Sequence, residues 1–216
     1  MQRAKEMRAL FALGETIRAE LSYEGVIKSA VDGIVKAVNP DFVLIFSRSG
    51  NKLELIGSGP ENSVFTHSAT PEHKVGECLC GLAVRTGRSV YSHDIYTDER
   101  CSWTECKEAG LKSFAALPLL KGEETIGVVG LASAGKRDFR EQGPFLETIT
   151  AAISGALVNA LRFQDIHGFA KWLNGSMRQV AEAVEMYPNA SGEAMEKIAR
   201  IAELYRSRIS ANGERL

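Results

Sequence analysis

The chain has 216 residues, of which 44% are hydrophobic and 25% charged, and its 26 basic and 27 acidic side chains leave a net charge of −1. That length and composition fit a soluble globular chain that buries a core without staples. The balanced charge offers no basic excess for a phosphate backbone, so no nucleic acid is expected, and no run approaches the ~20 apolar residues of a membrane span.

The first segment reads as a helix, with Leu10, Phe11, Leu13, Ile17 and Leu21 at helical spacing and Gly14 weakening its middle. The acidic Glu6, Glu15 and Glu20 argue against a transit peptide. The cytoplasm is the expected compartment, where cysteines serve as thiols, metal ligands or redox groups rather than structural disulfides. A second helix fits Tyr23 to Val38, and Asn39-Pro40 stops it, because a residue before proline avoids the helical region.

Asp41 to Ser47 is short, apolar and rich in β-branched and aromatic residues, which predicts a strand covered on both faces. Ser49-Gly50-Asn51 turns the chain into a strand from Lys52 to Gly57. Pro60 to His73 is polar and patternless and reads as a surface loop or lid. Cys80 to Thr86 reads as a short helix closed by Gly87, and Ser89 to His93 as a third strand. Ser102-Trp-Thr-Glu105 matches a capping box opening another helix. Ser113–Leu120 and Glu124–Ala134 form a hairpin around Lys121-Gly122-Glu123.

A long helix follows from about Arg140 or Pro144, with Leu146, Ile149, Ile153, Leu157 and Leu161 as its stripe. Gly168 is expected to interrupt it. Two further helical pieces, 171–186 and 191–210, flank the break at Pro188-Asn189. Strands with helices before, between and after them predict an α+β fold with helices packed on one face of a sheet.

All four cysteines lie in the middle third, at Cys78, Cys80, Cys101 and Cys106. As flanks of a capping box, Cys101 and Cys106 would act as a hydrophobic staple, and the same geometry brings two sulfurs together beside a helix N-terminus. Cys78 and Cys80 project to one side if the chain there is extended and diverge if it is fully helical. Three readings stay open: buried or stapling thiols, a soft-metal site for zinc or an iron–sulfur cluster, or a thiol–disulfide switch. The spacing is not that of repeated Cys-x2-Cys zinc knuckles. His73 and His93 lie nearby and read as ordinary hydrogen-bonded side chains. Trp103 and Phe114 suit the apolar wall of a small-molecule pocket, and Asp94 either orients a ligand or caps the turn after its strand.

Several motifs are absent. No phosphate-binding Gly-x4-Gly-Lys-Ser/Thr loop, Gly-x-Ser-x-Gly elbow or His-Glu-x-x-His pair occurs. His167 is followed by Gly168-Phe169, which does not suit a phospho-accepting histidine.

Cys80-Gly-Leu-Ala83 with Gly87, Asp94-Ile95, Ser113-Phe-Ala-Ala-Leu-Pro-Leu119 and Ile126-Gly-Val-Val-Gly-Leu131 follow one another in an order that resembles a GAF domain. The resemblance covers 22–162, between an N-terminal helix at 1–21 and a C-terminal helical extension at 163–216. It implies a central antiparallel sheet with terminal helices on one face and a ligand pocket on the other. It also implies that the Cys78–Cys80 and Cys101–Cys106 segments both cover that pocket, so that the four sulfurs converge. The implied role is a signal sensor, not an enzyme, that binds a small molecule, a metal or a cluster, or senses redox state. Its terminal helices would form a homodimer and act on a signalling partner.

The chain also looks similar to the free methionine-(R)-sulfoxide reductases around Cys80-Gly81 and in its later cysteines. That family's substrate-holding acids fall here on Phe114, Gly130 and Ala132, where a charged amino group finds no carboxylate. A protein-interaction scaffold with a vestigial pocket is the third class.

Overall fold

The computed structural model describes residues 2–61, 73–102, 104–186, 192, 196, 197, 199–201, 203 and 204. The chain divides into two compact units, Met1–Arg162 and Phe163–Leu216.

In the first unit, helices α1 (Gln2–Ala19) and α2 (Tyr23–Val38) precede strands β1 (Phe42–Ser49), β2 (Lys52–Gly59) and β3 (His73–Lys74). Helix α3 (Cys78–Thr86), strand β4 (Val90–Ser92), the single turn α4 (Glu105–Glu108) and the hairpin β5 (Ser113–Lys121) and β6 (Glu124–Ser133) follow. A 3₁₀ turn (Phe139–Gln142) then leads into α5 (Gly143–Met186). The six strands form one antiparallel sheet in the order β3-β2-β1-β6-β5-β4.

Alternation along the strands sorts the core into two layers. Val43, Ile45, Ala115, Leu117, Leu119, Val129 and Leu131 face α1, α2 and the start of α5. Phe42, Leu44, Phe46, Phe114, Ala116, Val128 and Ala132 face the opposite way, toward α3 and the cysteines. The expected two-sided burial of β1 is therefore met, with Phe42 to Phe46 all buried.

Arg137 ties the end of α2 to the rest of the unit. Its guanidinium donates to the Val38 carbonyl at 2.8 Å, the Asn39 carbonyl at 3.1 Å and Gln142 Oε1 at 2.7 Å. These are carbonyls that a helix end leaves without partners. Arg137→Ala is expected to lower stability by about 2 kcal/mol, read as a lower denaturant midpoint with an unchanged slope.

The helical stripe of α5 buries Leu146, Ile149, Ile153 and Leu157 as expected, but Leu161 is exposed and Ala160 is buried in its place. One stretch, Phe139–Gln179, is long and apolar enough by composition to cross a membrane, at mean hydropathy 1.3. Its buried residues, 44% of the apolar window, include Leu146, Ile149, Ile153 and Leu157 of the first unit's core.

Other boundaries differ for identifiable reasons. Helix α5 runs through Gly168 without a break; a helical glycine costs only about 1 kcal/mol, too little to stop a helix of this length. Ser102 does not cap a helix: α4 begins at Glu105, and Thr104 at its N-cap is helical in backbone and makes no side-chain capping bond. That turn is held instead by bonds at its other end, from Leu111 N–H to the Cys106 carbonyl at 3.0 Å and from Tyr96 Oη to the Lys107 carbonyl at 2.7 Å. Helix α1 runs through Gly14 and, among its described side chains, buries Leu13 and Ile17, leaving Phe11 exposed, as is Leu21 beyond its end. β3, at the end of the expected loop, is a two-residue strand paired with Lys52 and Leu53.

In the second unit, α5 continues to Met186, with Phe163 edge-on to His167 and Phe169 stacked on Trp172. Of the expected helix over 191–210, residues 196, 197, 199–201, 203 and 204 are helical. The expected break at Pro188-Asn189 lies outside the described residues.

Candidate functional site: a four-thiol cluster beneath the sheet

Helix α3 crosses the sheet face opposite the terminal helices, and a close backbone contact fixes its start. The Gly76 N–H donates to the Gly81 carbonyl at 2.8 Å, and the Gly81 N–H to the Glu77 carbonyl at 3.0 Å. A Cβ on Gly81 would run into the Lys74 carbonyl oxygen and sit 2.8 Å from Gly76 N. Cys78, the first helical residue, has a left-handed backbone with φ +49°. The helix thus starts two residues before the expected Cys80, on an irregular first residue.

That conformation settles the question the Cys-x-Cys spacing left open. Cys78 and Cys80 are near enough to shift each other's pKa in opposite directions. His73 and the Gly81 backbone also favour the thiolate form of Cys78. Its pKa is held down at about 5, mainly because the Cys80 thiol donates to its thiolate form, with His73 and the Gly81 amide adding to the effect against the opposing cost of burial. Cys80 is pushed well up, first because its proton is the one shared with Cys78 and then by burial.

The second pair arrives from the α4 segment. Cys101 is buried and Cys106 half-buried. Both act electrostatically on Cys80, and Cys78 and Cys101 act on Cys106. The four sulfurs therefore occupy one neighbourhood, and none is in a disulfide. Burial pushes Cys106 up to about 12. Among the described residues, no group of three or more His, Cys, Asp or Glu side chains is arranged to hold a metal ion.

The cluster rests on the apolar layer formed by Phe42, Phe46, Phe114, Val128 and Ala132. A Cβ on Gly130 would lie 2.9 Å from the Phe114 ring and 3.5 Å from the Cys80 sulfur, so Cys80 and Phe114 both pack over β6. His73 is buried, its ring 5.0 Å from that of Phe46.

The other anticipated residues are placed differently. Phe114 is buried beside the thiols. Asp94 accepts from the Tyr96 N–H at 3.1 Å and pairs with Lys136 at 3.1 Å. Lys136, then the Tyr96 amide, holds its carboxyl below the usual range. This is the turn-capping arrangement. Trp103 lies outside the described residues, and His93 is exposed. A cavity of about 310 Å³ opens on the helix-bearing side, between Tyr23, Arg48, Ile56, Glu124, Ile126 and Leu161. Neither Asp94 nor Phe114 lines it.

His73, expected near the cysteines as an ordinary hydrogen-bonded side chain, is brought to Cys78 by β3. Its role depends on β3, and a two-residue strand leaves no periodic signal.

A family model described as GAF domain matches residues 20–158. The chain belongs to the GAF domain family. A comparison with curated proteins finds no match to the sequence. Among solved structures, the GAF domain of an Acinetobacter phosphoenolpyruvate-protein phosphotransferase superposes with a TM-score of 0.61 at 19% identity, over 74% of this chain and 97% of that one. The free methionine-R-sulfoxide reductase of Neisseria meningitidis, in complex with its substrate, gives 0.64 at 14% identity over 73% and 90%. The corresponding Staphylococcus aureus enzyme in its reduced form gives 0.60 at 19% over 70% and 94%. At these identities the structural likeness establishes the fold, and function must be argued from the site.

Proposed function

We propose that this GAF domain is a cytoplasmic redox sensor whose input is the oxidation state of the thiol cluster. The carrying observation is the arrangement of Cys78: a buried residue at a left-handed helix start, in one apolar layer with Cys80, Cys101 and Cys106, its pKa held down by Cys80, His73 and the Gly81 backbone. An inert buried cysteine has no such donors, whereas a reactive thiolate needs them.

Reversibility is the test. Treating the native protein with a thiol oxidant such as diamide should remove titratable thiols in pairs, without cross-linking chains, and dithiothreitol should restore all of them. Four thiols that stay titratable would end the proposal.

The free methionine sulfoxide reductase reading gains nothing from the site. Phe114 and Ala132 belong to the apolar layer and Gly130 is covered by the Phe114 ring, so an ammonium group would be buried there without a carboxylate.

For output, we assign the terminal helices the role of pairing two copies, with oxidation shifting how they pack. Met7 and Phe11, one helical turn apart on α1, are 67% and 72% exposed, large apolar groups that a partner helix would cover. Light scattering is expected to give the mass of a dimer, and Phe11→Glu that of a monomer. A wild-type monomer would remove this output and leave the sensor without a dimer switch.

A further inference from the structure

We propose that the cavity on the helix-bearing side binds a free amino acid with an aliphatic side chain, its ammonium on Glu124, its carboxylate on Arg48 and its side chain between Ile56, Ile126 and α5. The proposal stands apart from the thiol cluster, which packs in the layer on the other face of the sheet.

Two irregularities in the sheet build the hollow. β1 lies between β2 and β6, and each of these neighbours carries one extra residue. In β2, Gly57 pairs with Ile45 and Leu55 with Phe46, which leaves Ile56 without a partner across the strands. In β6, Gly127 pairs with Leu119 and Thr125 with Leu120, which leaves Ile126 in the same position. A bulge bends its strand and re-aims the side chain it carries. Both bulge isoleucines line the one cavity of about 310 Å³, together with Leu157 and Leu161 of α5. Helix α5 is fixed at this end of the sheet, because the Leu120 N–H donates to Ser154 Oγ at 3.0 Å. The apolar wall is therefore formed before any ligand arrives. Its volume falls at the lower end of the ~300–1,000 Å³ of small-molecule sites, which suits a single amino acid better than a nucleotide or a peptide.

The polar groups specify the head of the ligand. Arg48, Glu124 and Tyr23 line the same cavity. Arg48 Nε donates to the Gly50 carbonyl at 3.0 Å and its Nη1 to the Thr125 carbonyl at 3.4 Å. The second bond holds the guanidinium beside the residue that follows Glu124. No ion pair joins Arg48 to Glu124, and among the described residues neither has another charged partner. A cation and an anion that do not neutralise each other, next to an apolar wall, are complementary to a zwitterion with an apolar body. A fatty acid sets its carboxylate near Glu124, and an alkylamine sets its ammonium near Arg48, so each half alone meets a like charge. Tyr23 adds a hydroxyl donor; burial, then Glu24, raises its pKa and keeps it protonated. Tyr23 is the first residue of α2 and Leu161 lies on α5, so the ligand ties both helices to the sheet.

The experiment is a proton–nitrogen NMR titration of the isotopically labelled full chain with L-leucine. N-acetyl-L-leucine, which lacks the ammonium, and L-leucinamide, which lacks the carboxylate, serve as comparisons. L-leucine should shift the Ile56 and Ile126 amides saturably, and each blocked analogue should bind about tenfold more weakly, the loss of one charge-assisted hydrogen bond. Glu124→Gln should weaken L-leucine by the same factor and leave N-acetyl-L-leucine unchanged. Glu124 is exposed, so this variant is expected to keep its circular dichroism spectrum, and the analogue comparison needs no variant at all. Unmoved Ile56 and Ile126 amides, analogues that bind as well as L-leucine, or L-leucine binding that Glu124→Gln does not weaken would each overturn the proposal. All three outcomes leave the thiol sensor in place, since none of them involves a cysteine.

Discussion

Gly81→Ala is expected to destabilise the domain by about 3 kcal/mol and to abolish the special reactivity of Cys78. An alanine Cβ would meet two backbone atoms, the Lys74 carbonyl oxygen and Gly76 N. Neither can swing aside as a side chain tip would. Both are fixed by their own hydrogen bonds, Gly76 N–H to the Gly81 carbonyl at 2.8 Å and Glu77 N–H to the Lys74 carbonyl at 3.1 Å. Relief would require moving the β3 segment off α3, taking His73 away from the Cys78 sulfur. Gly155→Ala on α5 is the control: nothing lies within 4 Å of its added Cβ, so helix propensity should raise stability by up to about 1 kcal/mol. Denaturant titration of both variants reads the difference in sign.

The second large effect concerns pH. Replacing His73 with phenylalanine keeps a ring against Phe46 but removes the imidazole that helps hold the Cys78 pKa down. Losing one charge-assisted hydrogen bond, about 1.5–3 kcal/mol, should raise the Cys78 pKa by roughly one to two units. From a starting value of about 5, the thiolate fraction near pH 6 should then fall by roughly two- to tenfold. Iodoacetamide alkylation of Cys78 should slow by the same factor near pH 6 and be little changed at pH 8.

The same groups set how stability varies with pH. The folded pKa of Cys78 lies below the value of an unfolded cysteine, so its contribution is fully present above that unfolded value and disappears as pH falls through about 5. Cys80 and Cys106 are shifted upward, so folding keeps them protonated and their contribution is lost at pH values above the unfolded thiol pKa, about 8.5. The thiols together should make stability rise from about pH 5 toward pH 8.5 and decline beyond it. Cys78→Ser should remove the rising limb, as followed by thermal melts across that range.

The apolar, β-branched run of β1, the turn residues between β5 and β6, and helical spacing in α2 and the first half of α5 made the layered fold legible in the sequence. These elements bury one face or two against long partners, so each apolar residue repeats the same message. The short pieces were not legible. β3 has two residues and α4 has four; neither is long enough to carry a period, and both are held by contacts distant in sequence. The Ser102 capping box shows that a local motif does not by itself start a helix: α4 begins at Glu105 with no side-chain cap. Within the site, the four cysteines could be named from sequence, but not their inequality. That depends on the left-handed backbone of Cys78 and on His73 arriving across the sheet edge, neither of which residue type or spacing encodes.

The most direct measurement of the central claim is a pH titration of thiolate absorbance in the fully reduced protein, with Cys78→Ser beside it. One thiolate should form near pH 5 and be absent from the variant, with Cys80 and Cys106 ionising only well above neutrality. Four thiols that all ionise near the ordinary cysteine value would contradict the account.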